Sequence, residues 1–170
     1  MNLAPAVELS SARAVYSNGV RGVRQTLAMM RKLVNEGRTN LSVRNAAVGI
    51  IFNTPSKDEF SEASALYEFV RDHVRYVKDI NGVETLCTPD KTLATRIGDC
   101  DDQTTLLAAM FEAVGYPTRF CVAGYNEPEL LEHVYCQVLV NGDWLDCDPT
   151  EPACLGWAPP DPVTLYYEQV

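Results

Sequence analysis

The sequence predicts an α+β fold, with helices up to Val114 and an antiparallel sheet after Pro117. Before Val114, apolar residues recur every three or four positions in several segments, the period of a helix with one buried face. After Pro117 the period changes to two, as side chains alternating across a strand require. Asn141-Gly142 separates two of these alternating segments, and that dipeptide favours the positive φ values of a two-residue hairpin turn.

Residues 1–20 are mixed in character, with Asn18-Gly19, and read as an irregular arm. Arg21 to Glu36 reads as a helix burying Val23, Leu27, Met30, Leu33 and Val34, with Gly37 at the left-handed closing position. Ser42 to Phe52 reads as a second helix, stopped by Asn53-Thr54-Pro55. Ser56 with Glu59 matches a capping box at the start of a third. That helix sets Phe60, Ala63, Leu66, Tyr67, Val70 and Val74 on one face and ends near Tyr76-Val77. Asp79 to Thr88, with Asn81-Gly82, reads as a loop, and Pro89 to Ile97 holds a short helical turn.

Cys100 to Val114 is the clearest helix, with an apolar stripe of Leu106, Leu107, Met110, Phe111 and Val114 and closure at Gly115 and Pro117. Thr118 to Tyr125, His133 to Val140 and Trp144 to Asp148 read as strands. A tail over 149–163 is rich in Pro and Gly, and Leu165-Tyr166-Tyr167 adds a last short strand. There is no internal repeat and no low-complexity tract.

A chain of 170 residues buries one core rather than two. Its 46% apolar and 22% charged residues are ordinary for a globular protein. With 23 acids against 14 bases the net charge is −9, which argues against nucleic acid or an anionic membrane as partner. No stretch approaches the ~20 apolar residues of a membrane span. Met1 to Glu8 lacks the basic and then apolar pattern of a secretory signal, so the expected location is cytoplasmic. The six cysteines (87, 100, 121, 136, 147 and 154) show no Cys-x-x-Cys pair and read as free, mostly buried thiols.

The chemistry concentrates on Cys100, within Gly98-Asp99-Cys100-Asp101-Asp102 at a predicted helix start. Unpaired first-turn N–H groups and the positive end of the helix dipole favour a thiolate there, and Asp99 fits the N-cap. The charges of Asp99, Asp101 and Asp102 oppose ionisation. The blander reading is a free thiol behind an acidic cap. Of the two histidines, His73 reads as structural or exposed, whereas His133 opens an alternating segment and reads as a general base.

A two-residue turn at Asn141-Gly142 pairs Val140 with Asp143, so that Tyr135 faces Asp148 and His133 faces Thr150. Alternation then gathers His133, Tyr135, Gln137, Leu139, Trp144, Asp146 and Asp148 on one face. His133 and Asp148 become diagonal neighbours, about 5–8 Å apart at Cβ, within hydrogen-bond reach. Asp148 is expected to orient the imidazole through Nδ1–H while also serving an Asp-Pro turn, with Asp146 the runner-up acid. A register slip of one residue would put Asp148 on the opposite face. The same register sets Cys136 opposite Cys147, read as two small buried hydrophobes rather than a redox pair.

For an oxyanion, the Cys100 N–H is one donor, and Tyr76 is the candidate second, its other reading being a core aromatic at a helix end. Zinc sites use close ligand pairs that are missing here, and residues 99–102 lack the alternation and glycine of a calcium loop. No phosphate-binding glycine loop is present either. No metal and no cofactor is expected.

Gly98 to Asp102, Leu106 to Met110, Gly115 to Arg119, His133-Val134-Tyr135 and Trp144 to Thr150 together resemble the transglutaminase-like superfamily over residues 57–150. The resemblance implies a papain-like α+β core, with the antiparallel sheet packed on the nucleophile helix. It implies Cys100 as nucleophile, His133 as base and Asp148 as its orienting partner, and a protein or peptide as substrate. Residues 57–170 then form the catalytic core behind an arm and helical lead-in at 1–56. The compact form, with Arg24 to Met30 and Glu84-Thr85-Leu86, is similar to transglutaminase-like proteins encoded in tailed-phage and prophage structural gene blocks. That likeness implies phage structural proteins as partners and a virion-associated location.

The expected activity is cysteine-dependent acyl transfer on protein or peptide amides through a thioester at Cys100, with hydrolysis favoured over crosslinking. The alternative is a non-catalytic module of phage particle assembly that keeps the fold for binding.

Overall fold

A computed structural model describes residues 11–14, 20–78, 84–127 and 131–170. Strand β1 (Ser11–Ala14) precedes helices α1 (Val20–Gly37), α2 (Leu41–Ile51) and α3 (Glu59–His73). Two short strands follow, β2 (Arg75–Tyr76) and β3 (Glu84–Cys87), then α4 (Pro89–Thr95), β4 (Ile97–Gly98) and α5 (Cys100–Val114). The last third holds β5 (Thr118–Gly124), β6 (His133–Val140), β7 (Asp143–Cys147) and β8 (Thr164–Gln169). Strands β5 to β8 form an antiparallel sheet in the order β7-β6-β5-β8, so the α+β expectation stands. Among the described residues no helix is long and apolar enough to cross a membrane.

Helix α5 has the predicted ends, with Asp99 as N-cap and Gly115 in the left-handed region at φ 101°. It is not the amphipathic helix its stripe predicts. Every residue from Asp102 to Phe111 is buried, because helices pack on its flanks and β6 crosses it. Two of its buried polar side chains find acceptors: Thr104 Oγ1 donates to Val134 O, and Gln103 Nε2 to Val74 O and Gly98 O, while Thr105 Oγ1 and Gln103 Oε1 have no hydrogen-bond partner among the described residues. Leu106, Leu107, Met110 and Phe111 are fully buried, each contributing about 1.5–3 kcal/mol of transfer free energy.

Several local expectations are corrected. Gly37 is the last helical residue and does not take positive φ; it is required because a Cβ there would lie 2.6 Å from Pro89 Cγ. The cap of α3 is Asp58, not Ser56: Asp58 Oδ1 accepts from Ser61 N, a carboxylate being the stronger acceptor at a helix start. Phe60 points to solvent, 49% exposed, while Ala63, Leu66, Tyr67, Val70 and Val74 are buried as predicted. Helix α3 stops at His73 rather than near Tyr76-Val77. Val74 turns extended, and Arg75 N and Val77 N donate to Arg96 O and Gly98 O in a parallel bridge of β2 to β4. The segment read as a loop before Thr88 contains β3, which pairs with β1 of the predicted irregular arm. Asn18-Gly19 and Asn81-Gly82 lie outside the described residues.

The β6–β7 register is the predicted one, from Val140↔Asp143 to Cys136↔Cys147. Asn141 and Gly142 have φ 51° and 89°, the paired positive values of a type I′ turn. The face assignment also holds: Gln137 Nε2 donates to Asp146 Oδ1, while Cys136 and Cys147 are buried on the other side as free thiols. Pairing ends at Cys147, so the expected pairs Tyr135–Asp148 and His133–Thr150 do not form. Asp148 curls out of the ladder instead, its Oδ1 accepting from Thr150 N and Oγ1.

Candidate active site

Three chain segments converge at the N-terminus of α5. The parallel bridge β2–β4 leads directly into the helix, and Gly98 within it allows the close turn. A Cβ on Gly98 would lie 2.6 Å from Asp102 Cβ. Asp102 is itself buried and fixed, its Oδ1 accepting from Cys87 N at 2.7 Å, which ties β3 to the helix start. Asp99 Oδ1 accepts from Asp102 N and closes the cap. Cys100, at the first helical position, therefore has a backbone N–H with no intrahelical acceptor.

The second segment is the start of β6. The Val134 amide, in the peptide unit that follows His133, donates to the Cys100 thiol and eases its ionisation. That contact brings the nucleophile candidate and the His133 backbone together. The His133 ring stacks on Tyr135 with centroids 6.0 Å apart.

The third segment is the turn after β7. His133 Nε2 and Asp148 Oδ2 are 2.6 Å apart, with Asp148 fully buried. The expected contact through Nδ1 is corrected, because a carboxylate one step beyond the ladder is met by the nitrogen farther from Cβ. Nδ1 then has no hydrogen-bond partner among the described residues. Asp146 bonds Gln137 rather than His133. His73 is exposed, stacked on Phe69, with Nδ1 on Phe69 O.

Burial acts first and most strongly on the Cys100 thiol, pushing it well above its ordinary range. The charges of Asp101 and then Asp99 push in the same direction, and Sγ donates to Asp101 Oδ1 at 3.6 Å. Tyr76 is 47% exposed, so it is not a core aromatic. Partial burial of its phenol, then the charges of Cys100, Asp99, Asp101 and Asp148, raise it to about 12, so its hydroxyl stays protonated.

Sequence patterns did not reveal the layer behind Asp148. Tyr67 Oη donates to Asp148 O and Ala153 O, and Arg71 Nη1 also donates to Ala153 O. In the sequence Tyr67 is one apolar position of a helix face, and nothing marks its hydroxyl as a fastener of a distant turn. Among the described residues no group of three or more His, Cys, Asp or Glu is arranged to hold a metal ion.

The sequence profile of the transglutaminase-like superfamily matches residues 46–149, more than half of the chain. The protein belongs to that superfamily. A comparison with curated proteins finds no match. Among solved structures, it is similar to a candidate cysteine protease from Cytophaga hutchinsonii, with a TM-score of 0.53 at 14% identity, over 79% of this chain and 54% of that one. It is also similar to a candidate protease from Parabacteroides distasonis, with a TM-score of 0.60 at 14% identity, over 72% of this chain and 25% of that one. Rad4–Rad23 crosslinked to an undamaged DNA matches with a TM-score of 0.51 at 13% identity, over 78% of this chain and 39% of that one. This chain thus spans about half of the first relative and a quarter of the second. These likenesses show the fold, and one fold serves many functions.

Proposed function

We propose that the protein is a cysteine-dependent acyl-transfer enzyme that hydrolyses amides of proteins or peptides through a thioester at Cys100. The observation that carries this reading is the 2.6 Å contact of His133 Nε2 with the buried Asp148 carboxylate, beside a cysteine at a helix start. Nδ1 of His133 takes the Sγ proton, and the thiolate adds to the substrate carbonyl carbon. The Cys100 N–H and the Tyr76 hydroxyl face the oxygen that gains charge. His133 returns the proton to the leaving nitrogen as the C–N bond breaks, leaving a thioester. A water, deprotonated by the same imidazole, then releases the acid and restores the thiol. Asp148 holds the ring and stabilises its cationic form throughout.

Hydrolysis is favoured over transfer to an amine because the rim beside Cys100 is open to water. Tyr76, Val77 and Ile97, on or next to the β2–β4 bridge, are 47%, 42% and 39% exposed. Aminolysis of a thioester competes well only where water is excluded. The phage-structural setting, with particle proteins as substrates, is part of the same proposal and rests on sequence resemblance alone.

Iodoacetamide tests the nucleophile. At pH 7–8, Cys100 should alkylate faster than the other buried thiols, His133→Ala should slow it about tenfold or more, and His73→Ala should leave it unchanged. Equal effects of the two histidine variants would sink the base assignment. Incubation with casein and a fluorescent primary amine distinguishes the outcomes of the thioester. Peptide release or glutamine deamidation without label supports hydrolysis, and incorporated amine overturns it.

A further inference from the structure

The Cys100 thiol meets the backbone amide that follows His133, yet its own proton is engaged elsewhere. Sγ donates to Asp101 Oδ1, and among the described residues neither Cys100 nor His133 hydrogen-bonds to the other's side chain. Asp101 is the second residue of α5, where a carboxylate also suits the positive end of the helix dipole. We propose, on the reading of Cys100 as nucleophile, that Asp101 is a positioning residue that acts as a latch: it accepts the Cys100 S–H and holds the thiol protonated until substrate binding opens the contact.

The groups around the sulfur set the balance. Asp99 and Asp101 from the start of α5 oppose ionisation, while the Val134 N–H from β6 favours it. Tyr76 from β2 adds a neutral hydroxyl, and Asp148 beyond β7 lies behind His133. Breaking the Sγ–H···Oδ1 contact moves no proton. The free S–H then turns to His133 Nδ1 and its proton passes to that nitrogen, giving a thiolate and an imidazolium held by Asp148. No oxidant or co-reactant is needed. A first-turn residue that stabilised the helix without acting on the sulfur would leave the thiol's titration unchanged.

The test is the pH profile of Cys100 alkylation by iodoacetamide, read by peptide mass spectrometry, with exposed Cys154 as internal reference. Asp101→Asn keeps an acceptor oxygen of the same size and removes the charge, and Asp101→Ala removes both. Asp101→Asn should move the midpoint down by about one pH unit and speed alkylation at pH 7 about tenfold, with Asp101→Ala at least as fast. Cys154 should be unchanged. Circular-dichroism melts confirm that the variants fold, and Asp101→Glu provides a second variant that keeps the charge and should stay near wild type. An unchanged or higher midpoint in Asp101→Asn overturns the latch. His133→Ala, made in both backgrounds, separates the two ideas. If it slows Cys100 while Asp101→Asn moves nothing, the latch fails and the nucleophile reading stands. If Asp101→Asn accelerates Cys100 and His133→Ala has no effect, the latch stands and the base assignment fails.

Discussion

Asp148 carries three tasks with its two carboxylate oxygens and its backbone carbonyl. Oδ1 binds Thr150 twice and shapes the turn, Oδ2 meets His133 Nε2, and the residue's own carbonyl accepts from Tyr67. Turn chemistry and ring orientation are therefore one device: the curl that takes Asp148 out of the β7 ladder aims its second oxygen at the imidazole. Asp148→Asn tests the division of labour. The amide oxygen can still accept from Thr150, so the melting temperature should fall by only a few degrees. The charge that stabilises an imidazolium is gone, so Cys100 alkylation at neutral pH should drop about tenfold. A variant that melts like the wild type and alkylates at the wild-type rate would remove Asp148 from the site.

The β6–β7 hairpin is the element on which the site depends, because it decides which face His133 and Asp148 share. Both turn residues sit at positive φ, and a Cβ on Gly142 would meet nothing within 4 Å. Gly142→Ala therefore introduces backbone strain without a clash and should destabilise by about 1–2 kcal/mol, measured by urea unfolding. A larger loss would mean that the register itself had slipped. Asn141 N also donates to Glu59 Oε2, tying the turn to the start of α3. This element was legible because turn chemistry and alternation are local and agree. Strands β2 and β4 were not legible, since two residues carry no period and their partner lies across the chain. Asp58 lost to Ser56 in the sequence because the capping-box pattern does not weigh a carboxylate already at hand. The ring nitrogen that meets Asp148 was also beyond reach, since register fixes faces and not the last ångström of a side chain.

At the scale of the whole molecule, the sequence placed the helix of Cys100 and the sheet correctly but understated how deeply α5 is enclosed, because threonines and a glutamine disguise its buried flank. That enclosure has a consequence for stability. Burial pushes up Cys87 to about 11 and Tyr67 to about 12, and it raises Cys100, Cys121, Cys147, Tyr116 and Tyr135 as well. In the unfolded chain these groups ionise near their ordinary values of 9.0 for a thiol and 10.0 for a phenol. A group whose folded pKa is raised contributes stability that is fully present below the unfolded value and is lost as pH rises through the folded one. The lowered carboxylates Asp58, Asp72 and Glu132 lie at the surface, in contact with solvent, and offer little against this. The molecule should therefore be far more sensitive to alkali than to mild acid. Melting temperature followed by circular dichroism should be nearly flat from pH 6 to 8 and fall by about 5 °C or more between pH 8.5 and 10.5. Tyr67→Phe should start from a lower melting temperature, having lost its bonds to Asp148 O and Ala153 O, and then fall less steeply because one buried phenol no longer titrates. A melting temperature that held constant to pH 10.5 would show that these side chains are open to water, and with them the enclosure of α5.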